Sequence, residues 1–450
     1  MTHRPTVAVI GAGFSGLLTA LHLANAPDGP AVRLIERSGA FGRGAAYATA
    51  NPEHLLNVRV ANMSAFPDQP DHFTAWLSGR DGWSAHGGFV TRGVYGDYLQ
   101  DLLRQAMETG AAGRLLLEAD EAVDMRRAGA GFRVQLALGR EIEADAVVLA
   151  LGVLRPAPPK STSQALLESP RYLADPWTPS RPLDDDARDV LLLGAGLTMI
   201  DAVITLAKPG RRFWAISRRG LLPRTHAPVP PRLHPVQPQG SPAALLRQVR
   251  AAADAAGDWR EAVDDLRPHV QAVWRGWSAR ERQAFLRHLR PWWDVHRHRL
   301  SPGVARRIDL MIRSRELGVL AGEVQRISVK PDGLEVAWRP RGQVNGRRLH
   351  ADAVINCTGM LGDIERSGEP LLRRLIAKGL VRRDPCRLGA DVDDDARLIG
   401  RDGAVHGRLY AVGPLTRSAF WEITSVPDLR TQAAHVAGAI ANTLRTAAAA

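Results

Sequence analysis

Two short stretches, VAVIGAGFSG at 7–16 and LLLGAGLTMID at 191–201, most constrain what this chain can fold into. Each sets a glycine-rich turn between an apolar run of strand length and a run with helical spacing. Strand, tight turn and helix in that order form the opening of a dinucleotide-binding βαβ unit. In the first stretch Gly11 permits the turn, Gly13 lets backbone approach a pyrophosphate, and Gly16 allows close helix–strand packing. Phe14 and Ser15 open the helix, whose N-terminal N–H groups and positive potential suit phosphate. Glu36 closes the next strand, VRLIER, where a carboxylate can take a ribose hydroxyl, with Arg37 beside it as a further contact.

The second stretch keeps Gly194 and Gly196 but has Met199 in place of the third glycine. That glycine serves packing, so its loss leaves the phosphate-facing part of the turn intact, with Leu197 and Thr198 opening the helix. Ser217, Arg218 and Arg219 stand where Glu36 stands in the first copy. A carboxylate there repels a 2′-phosphate, whereas Arg and Ser bind one, which favours NADPH over NADH.

The repeat extends further. DAVVLALG at 145–152 and DAVINCTG at 352–359 each end a meander on a buried strand, followed by Gly152 in one copy and by Thr358 and Gly359 in the other. A third strand-turn, GRLYAVGPL at 407–415, precedes a helix expected from about Asp428. The sequence therefore predicts an α/β fold with two Rossmann-like dinucleotide-binding domains bearing β-meanders. The first is discontinuous, 1–165 and 340–450. The second, 186–339, is inserted into it and carries a helical insertion at about 222–315. The Pro-rich stretch 153–185 reads as a connection between them.

Composition excludes several alternatives. With 450 residues, 45% of them hydrophobic, the chain can bury two or three cores. No apolar run is long enough to span a bilayer, and a strand-like run from Thr6 leaves no room for a signal peptide, so a cytoplasmic location is expected. The net charge of +12 is almost wholly arginine and comes with no nucleic-acid-reading motif, so no nucleic-acid partner is expected. The two cysteines, Cys357 and Cys386, form no C-x-x-C and provide neither a disulfide framework nor a redox pair. In RPWWDVHRHRLSP, His296 and His298 point to different faces of a helix, and no metal site is expected.

The order of motifs resembles the flavoproteins with two dinucleotide-binding domains, which include flavin monooxygenases, N-hydroxylases and pyridine-nucleotide reductases. A closer resemblance, to a bacterial family of FAD/NAD(P)-binding proteins, rests on GAGFSG, GRGAAYAT, LLNVRVANMSAFPDQPDHFTAWL, YGDYL, GLTMID, RPWWDVHRHRLSP and GPLTRSAFWEITSVPDLRTQA. The resemblance implies FAD at the N-terminal turn and NAD(P)H at the second. It also makes Gly44, Tyr47, Asn57, Val58, Arg59, Asn62 and Met63 candidate flavin-site residues. Gly413 and Pro414 are expected to bring the C-terminal strand to the flavin, with Trp421 and Glu422 facing substrate. Asn57, Trp421 and Glu422 are the catalytic candidates.

Two departures narrow the class. SPRYLADPW at 169–177 has Trp177 but lacks the Phe, Gly and His of the Baeyer–Villiger fingerprint, and the cysteine pair of disulfide reductases is absent. The expectation is an NADPH-dependent FAD monooxygenase that hydroxylates a small substrate, nitrogen-containing ones among the candidates, with O₂ through a C4a-peroxyflavin. Its rivals are a reductase for a protein or quinone acceptor and a flavin-binding sensor without turnover. The oligomeric state stays open.

Overall fold

In the computed structural model, residues 4–49, 51–80, 88–109, 113–177, 182–227 and 236–449 are described. Residues 178–181 of the Pro-rich connection and 228–235 of the Pro-rich loop that opens the helical insertion lie outside them.

Strand Thr6–Ile10 is the centre of the first sheet because nothing along it is polar enough to face water. It pairs in parallel with Ala31–Ile35 on one side and Ala146–Leu149 on the other. Leu115–Glu118 and Val405–Ala411 extend the sheet in parallel, and Arg397–Ile399 closes one edge antiparallel. Near-continuous apolar strands of this kind need cover on both faces. Helix Phe14–Asn25 covers one face, with Leu17, Leu18 and Ala20 fully buried, and the C-terminal helix Val426–Ala449 packs against it. Ala122–Ala128, Gly131–Leu136 and Glu141–Ala144 form a separate three-stranded antiparallel sheet.

The second sheet repeats the arrangement. Asp189–Leu193 lies between Arg212–Ser217 and Ala353–Asn356, all parallel. Here the meander is fused to the sheet, not separate. Strand Leu317–Lys330 runs parallel to Arg212–Ser217 in its first part and antiparallel to Gly333–Pro340 in its second. The boundary between the units was expected at 339/340. Arg347–Ala351 and Ala353–Asn356 pair within the second sheet, so the return to the first sheet falls after Asn356. Within the stretch read as a connection, Tyr172–Leu173 forms a short edge strand beside Val354 and Ile355.

Between the parallel strands of the second sheet, helices from Pro242–Ala256 to Pro302–Arg313 form the helical insertion. Its starts are locally encoded. Ser241 caps Pro242–Ala256, and Ser278 with Glu281 forms a reciprocal capping box at Ala279–Ala284, each cap worth about 1 kcal/mol. Among the described residues no helix is long and apolar enough to cross a membrane.

Candidate functional site

The first glycine turn is shaped by close backbone approaches. Gly11 has φ +102°, and a Cβ there would press into the carbonyl oxygen of Ala150. A Cβ on Gly44 would come within 2.9 Å of the Gly13 Cα, so two bare backbones face each other there. Gly13 caps helix Phe14–Asn25 with no side-chain hydrogen bond, which leaves the N–H groups of the first turn to a ligand. The Glu36 carboxylate accepts hydrogen bonds from the Ala12 N–H (3.0 Å) and from Ser38, which brings the acid to the turn. Arg37 pairs instead with Glu369 at 2.9 Å. Tyr47 is buried against Phe14 and Tyr95, and burial pushes its hydroxyl up to about 12.

From the opposite side, Gly413 closes on the turn, where a Cβ would sit 3.0 Å from Ser15 Oγ. The Gly413 N–H donates to Gln432 Oε1 at 2.8 Å, and Pro414 is the second residue of a single 3₁₀ turn, Gly413–Thr416. Of the 57–63 segment, Met63 is buried, Val58 half-buried and Asn62 exposed. His226 Nε2 donates to the Asn57 carbonyl at 3.0 Å, and Arg59 donates to the Ala227 carbonyl and lies over the Phe89 ring. Burial, partly countered by that Asn57 contact, holds His226 down at about 4, so the ring is neutral near pH 7. The segment thus ties the first unit to the inserted one.

The second turn has the same form. Gly194 has φ +120°, and a Cβ there would press into the carbonyl oxygen of Cys357, the counterpart of Ala150. Gly196 caps helix Leu197–Leu206, again with no side-chain bond, and a Cβ on it would meet nothing within 4 Å. Met199, at the place of Gly16, is fully buried in the second unit's core. Ser217 Oγ accepts from the Gly220 N–H at 3.1 Å, Arg218 is exposed, and the Arg219 guanidinium lies 5.9 Å from the Trp292 ring. Gly152 and Gly359 both have positive φ with open space at Cβ, and Thr358 Oγ1 donates to Asn356 Oδ1 at 2.7 Å.

Sequence reasoning missed how helix Leu197–Leu206 meets the first unit. Arg92 pairs with Asp201 at 3.2 Å, and His54 Nε2 contacts Thr205 Oγ1 at 2.8 Å. Burial raises the Asp201 carboxyl, partly countered by Arg92. No local pattern signals this pair, because Asp201 lies on an otherwise apolar helix.

Trp421 and Glu422 join the C-terminal loop to the helical insertion. Trp421 stacks on Trp274 (4.7 Å between centroids, 23°), and Trp274 Nε1 donates to the Ser418 carbonyl at 2.7 Å. Trp421 also lines a half-open cavity among the insertion helices. Glu422 is buried with φ +68°, a conformation strained for any residue with a Cβ. Its Oε1 accepts from Trp293 Nε1 at 2.9 Å. Its Oε2 has ion-pair contacts, without a hydrogen bond, to Arg297 Nε at 3.5 Å and His298 Nε2 at 3.4 Å. Burial would raise the carboxyl, but His298, Arg297 and the Trp293 N–H outweigh it and hold it at about 2.

His298 was expected to have no companion ligand. The structure instead gathers Asp294, His298 and Glu422 so that their ligating atoms lie within 4.8 Å. The neighbouring charges are cationic: Arg297 faces Glu422, and Arg290 and Arg417 act on Asp294. The cluster is an ion-pair network in which three arginines face two carboxylates, so the arginines already occupy the role a cation would take.

Two Rossmann-like units with matching turns define the fold as that of the flavoproteins with two dinucleotide-binding domains. Residues 8–154 match the family model described as FAD-NAD(P)-binding, which spans the first turn, Glu36 and the strand up to Ala150. The ornithine hydroxylase PvdA of Pseudomonas aeruginosa is similar in structure, with TM-score 0.66 and 18% identity over 98% of this chain and 99% of that one. So is the L-lysine 6-monooxygenase of Pseudomonas syringae, with TM-score 0.61 and 18% identity over 98% and 100%. The thioredoxin reductase of T. acidophilum aligns with TM-score 0.52 and 13% identity over 97% of both chains. No curated protein matches the sequence.

Proposed function

We propose that the chain is an NADPH-dependent FAD oxidoreductase and, within that class, a flavin monooxygenase acting with O₂ on a small molecule. The observation that carries this is the pair of equivalent turns, in which Gly11 against Ala150 and Gly194 against Cys357 leave two bare cradles at two uncapped helix starts. The residues fit the two dinucleotides. Gly11, Gly13 and Ser15 would hold the FAD diphosphate and Glu36 its ribose. Gly194, Gly196 and Thr198 would hold the NADPH diphosphate, and Ser217, Arg218 and Arg219 its 2′-phosphate. In domain terms, FAD belongs to the two chain ends, before about 165 and after Asn356, and NADPH to the part between. When bound, FAD supplies a two-electron carrier between NADPH and an acceptor.

This chain's own residues supply position and dryness. Gly413 closes on Ser15, the Asn57–Met63 segment is tied to the inserted unit through Asn57 and Arg59, and the insertion helices pack on the loop bearing Trp421 through Trp274. The aromatic cavity that Trp421 lines, of a size for a small molecule, favours oxygenation over delivery of electrons to a protein. A disulfide acceptor is disfavoured as well: Cys357 is a buried thiol raised by burial, and Cys386 is not its partner. The structural neighbours, an ornithine hydroxylase and an L-lysine 6-monooxygenase, support the same reaction class. The test is cofactor preference: R218A/R219A raises KM for NADPH about tenfold or more while KM for NADH changes little. Equal changes for both would remove the 2′-phosphate assignment.

A further inference from the structure

The cavity within the helical insertion measures about 470 Å³, inside the usual range for small-molecule sites. Six of the chain's eleven tryptophans line it: Trp259, Trp274, Trp277, Trp292, Trp293 and Trp421. It is built almost wholly of apolar and aromatic side chains, and among the described residues no Asp or Glu lines it. Arg250 and His296 are its titratable groups, and burial lowers the pKa of His296, so that ring adds no negative charge at any pH and little positive charge near neutrality.

Aromatic rings can hold a cation on their faces, so the rings alone leave the ligand's charge open. The guanidinium groups decide it. Arg282 lies 5.3 Å from the Trp274 ring, Arg260 and Arg299 lie 4.5 and 5.0 Å from the Trp259 ring, and Arg219 lies 5.9 Å from the Trp292 ring. The rings are already partnered by cations. A further ammonium would find those ring faces taken and no carboxylate among the described lining residues, and it would lose its hydration; Arg260 and Arg299 are themselves paired with Asp258 and Asp264. A planar aromatic ring can stack on, or meet edge-on, the tryptophans and Phe285 that line the cavity. The cavity also connects to the first turn through one short loop, because the segment that sets Gly413 against Ser15 ends at Trp421 in the cavity wall.

We propose that this cavity is the substrate pocket and that it takes a small aromatic molecule bearing no positive charge, not a cationic amino-acid side chain. The proposal rests on the flavin monooxygenase reading for the word substrate, but binding itself can be measured without turnover.

The test is calorimetry on the full-length, FAD-loaded protein with indole and with L-ornithine as probes. Indole is expected to bind saturably and L-ornithine not at all. Ala253→Trp fills the cavity from helix Pro242–Ala256, and indole should bind it about tenfold more weakly, with the bound-FAD spectrum and circular dichroism showing that the fold is retained. Val249→Trp provides the same obstruction should Ala253→Trp fail to fold. Absence of saturable indole binding, equal indole binding by the filled variants, or ornithine binding that indole displaces would each overturn the proposal. Anaerobic reduction of the wild-type flavin by NADPH is read in parallel. Reduction without indole binding sinks the pocket alone, and indole binding without reduction sinks the flavoenzyme reading alone.

Discussion

Glu422 carries more of the site's order than any other single residue. Its carboxylate is buried, its backbone is left-handed, and its partners Trp293, Arg297 and His298 all come from the helical insertion. A base held at about 2 has little affinity for a proton near neutrality, so we read Glu422 as a positioning residue that docks the insertion on the C-terminal loop. The pH dependence follows from the depressed value. The folded carboxyl lies below its unfolded counterpart near 4.5, so its contribution is complete above about pH 4.5 and is lost as pH falls toward 2. The shift corresponds to about 3 kcal/mol. Glu422→Gln should unfold more readily at neutral pH by about 3 kcal/mol, since it strands Arg297, and should show a shallower stability slope between pH 5 and 2 than the wild type, keeping the share of Asp101, Glu118 and Asp124. Denaturant unfolding of both proteins across that range checks this, and an unchanged slope would return Glu422 to the catalytic candidates.

At the scale of elements, the two glycines of the second turn separate protein packing from ligand contact. Gly194 is required by the fold, because any side chain there meets the Cys357 carbonyl in a left-handed backbone. Gly194→Ala should cost about 2 kcal/mol or more, seen as a lowered Tm. Gly196 has extended backbone (φ −88°) and free space around a Cβ, so Gly196→Ala should keep Tm and FAD content while raising KM for NADPH about tenfold. A Gly196→Ala protein with unaltered KM would mean that no pyrophosphate approaches this turn. The strand-turn-helix elements themselves were legible in the sequence: Thr6–Ile10 and Phe14–Asn25 stand where their spacing predicts, and Leu197–Leu206 within one residue of it. The meanders were legible as strands but not by sheet. Leu317–Lys330 serves two kinds of pairing along one strand, which alternation of residues does not encode.

For the whole molecule, the internal repeat explains both the architecture and the limits of reading it. Gly11 with Ala150 and Gly194 with Cys357 sit in matched sequence motifs, so both cradles could be anticipated. The links between units could not, because Arg92 with Asp201, Asn57 with His226, and Trp421 with Trp274 join residues far apart in the chain and inconspicuous in their own elements. The cavity was equally hidden, since its walls come from several short helices with no shared periodicity. The central claim is that these two halves form one electron path from NADPH to FAD. Anaerobic mixing of the FAD-loaded protein with NADPH tests it most directly. The account predicts rapid loss of the visible flavin band, with NADH slower and the R218A/R219A protein slowed toward the NADH rate. A flavin band that NADPH leaves unchanged would contradict it.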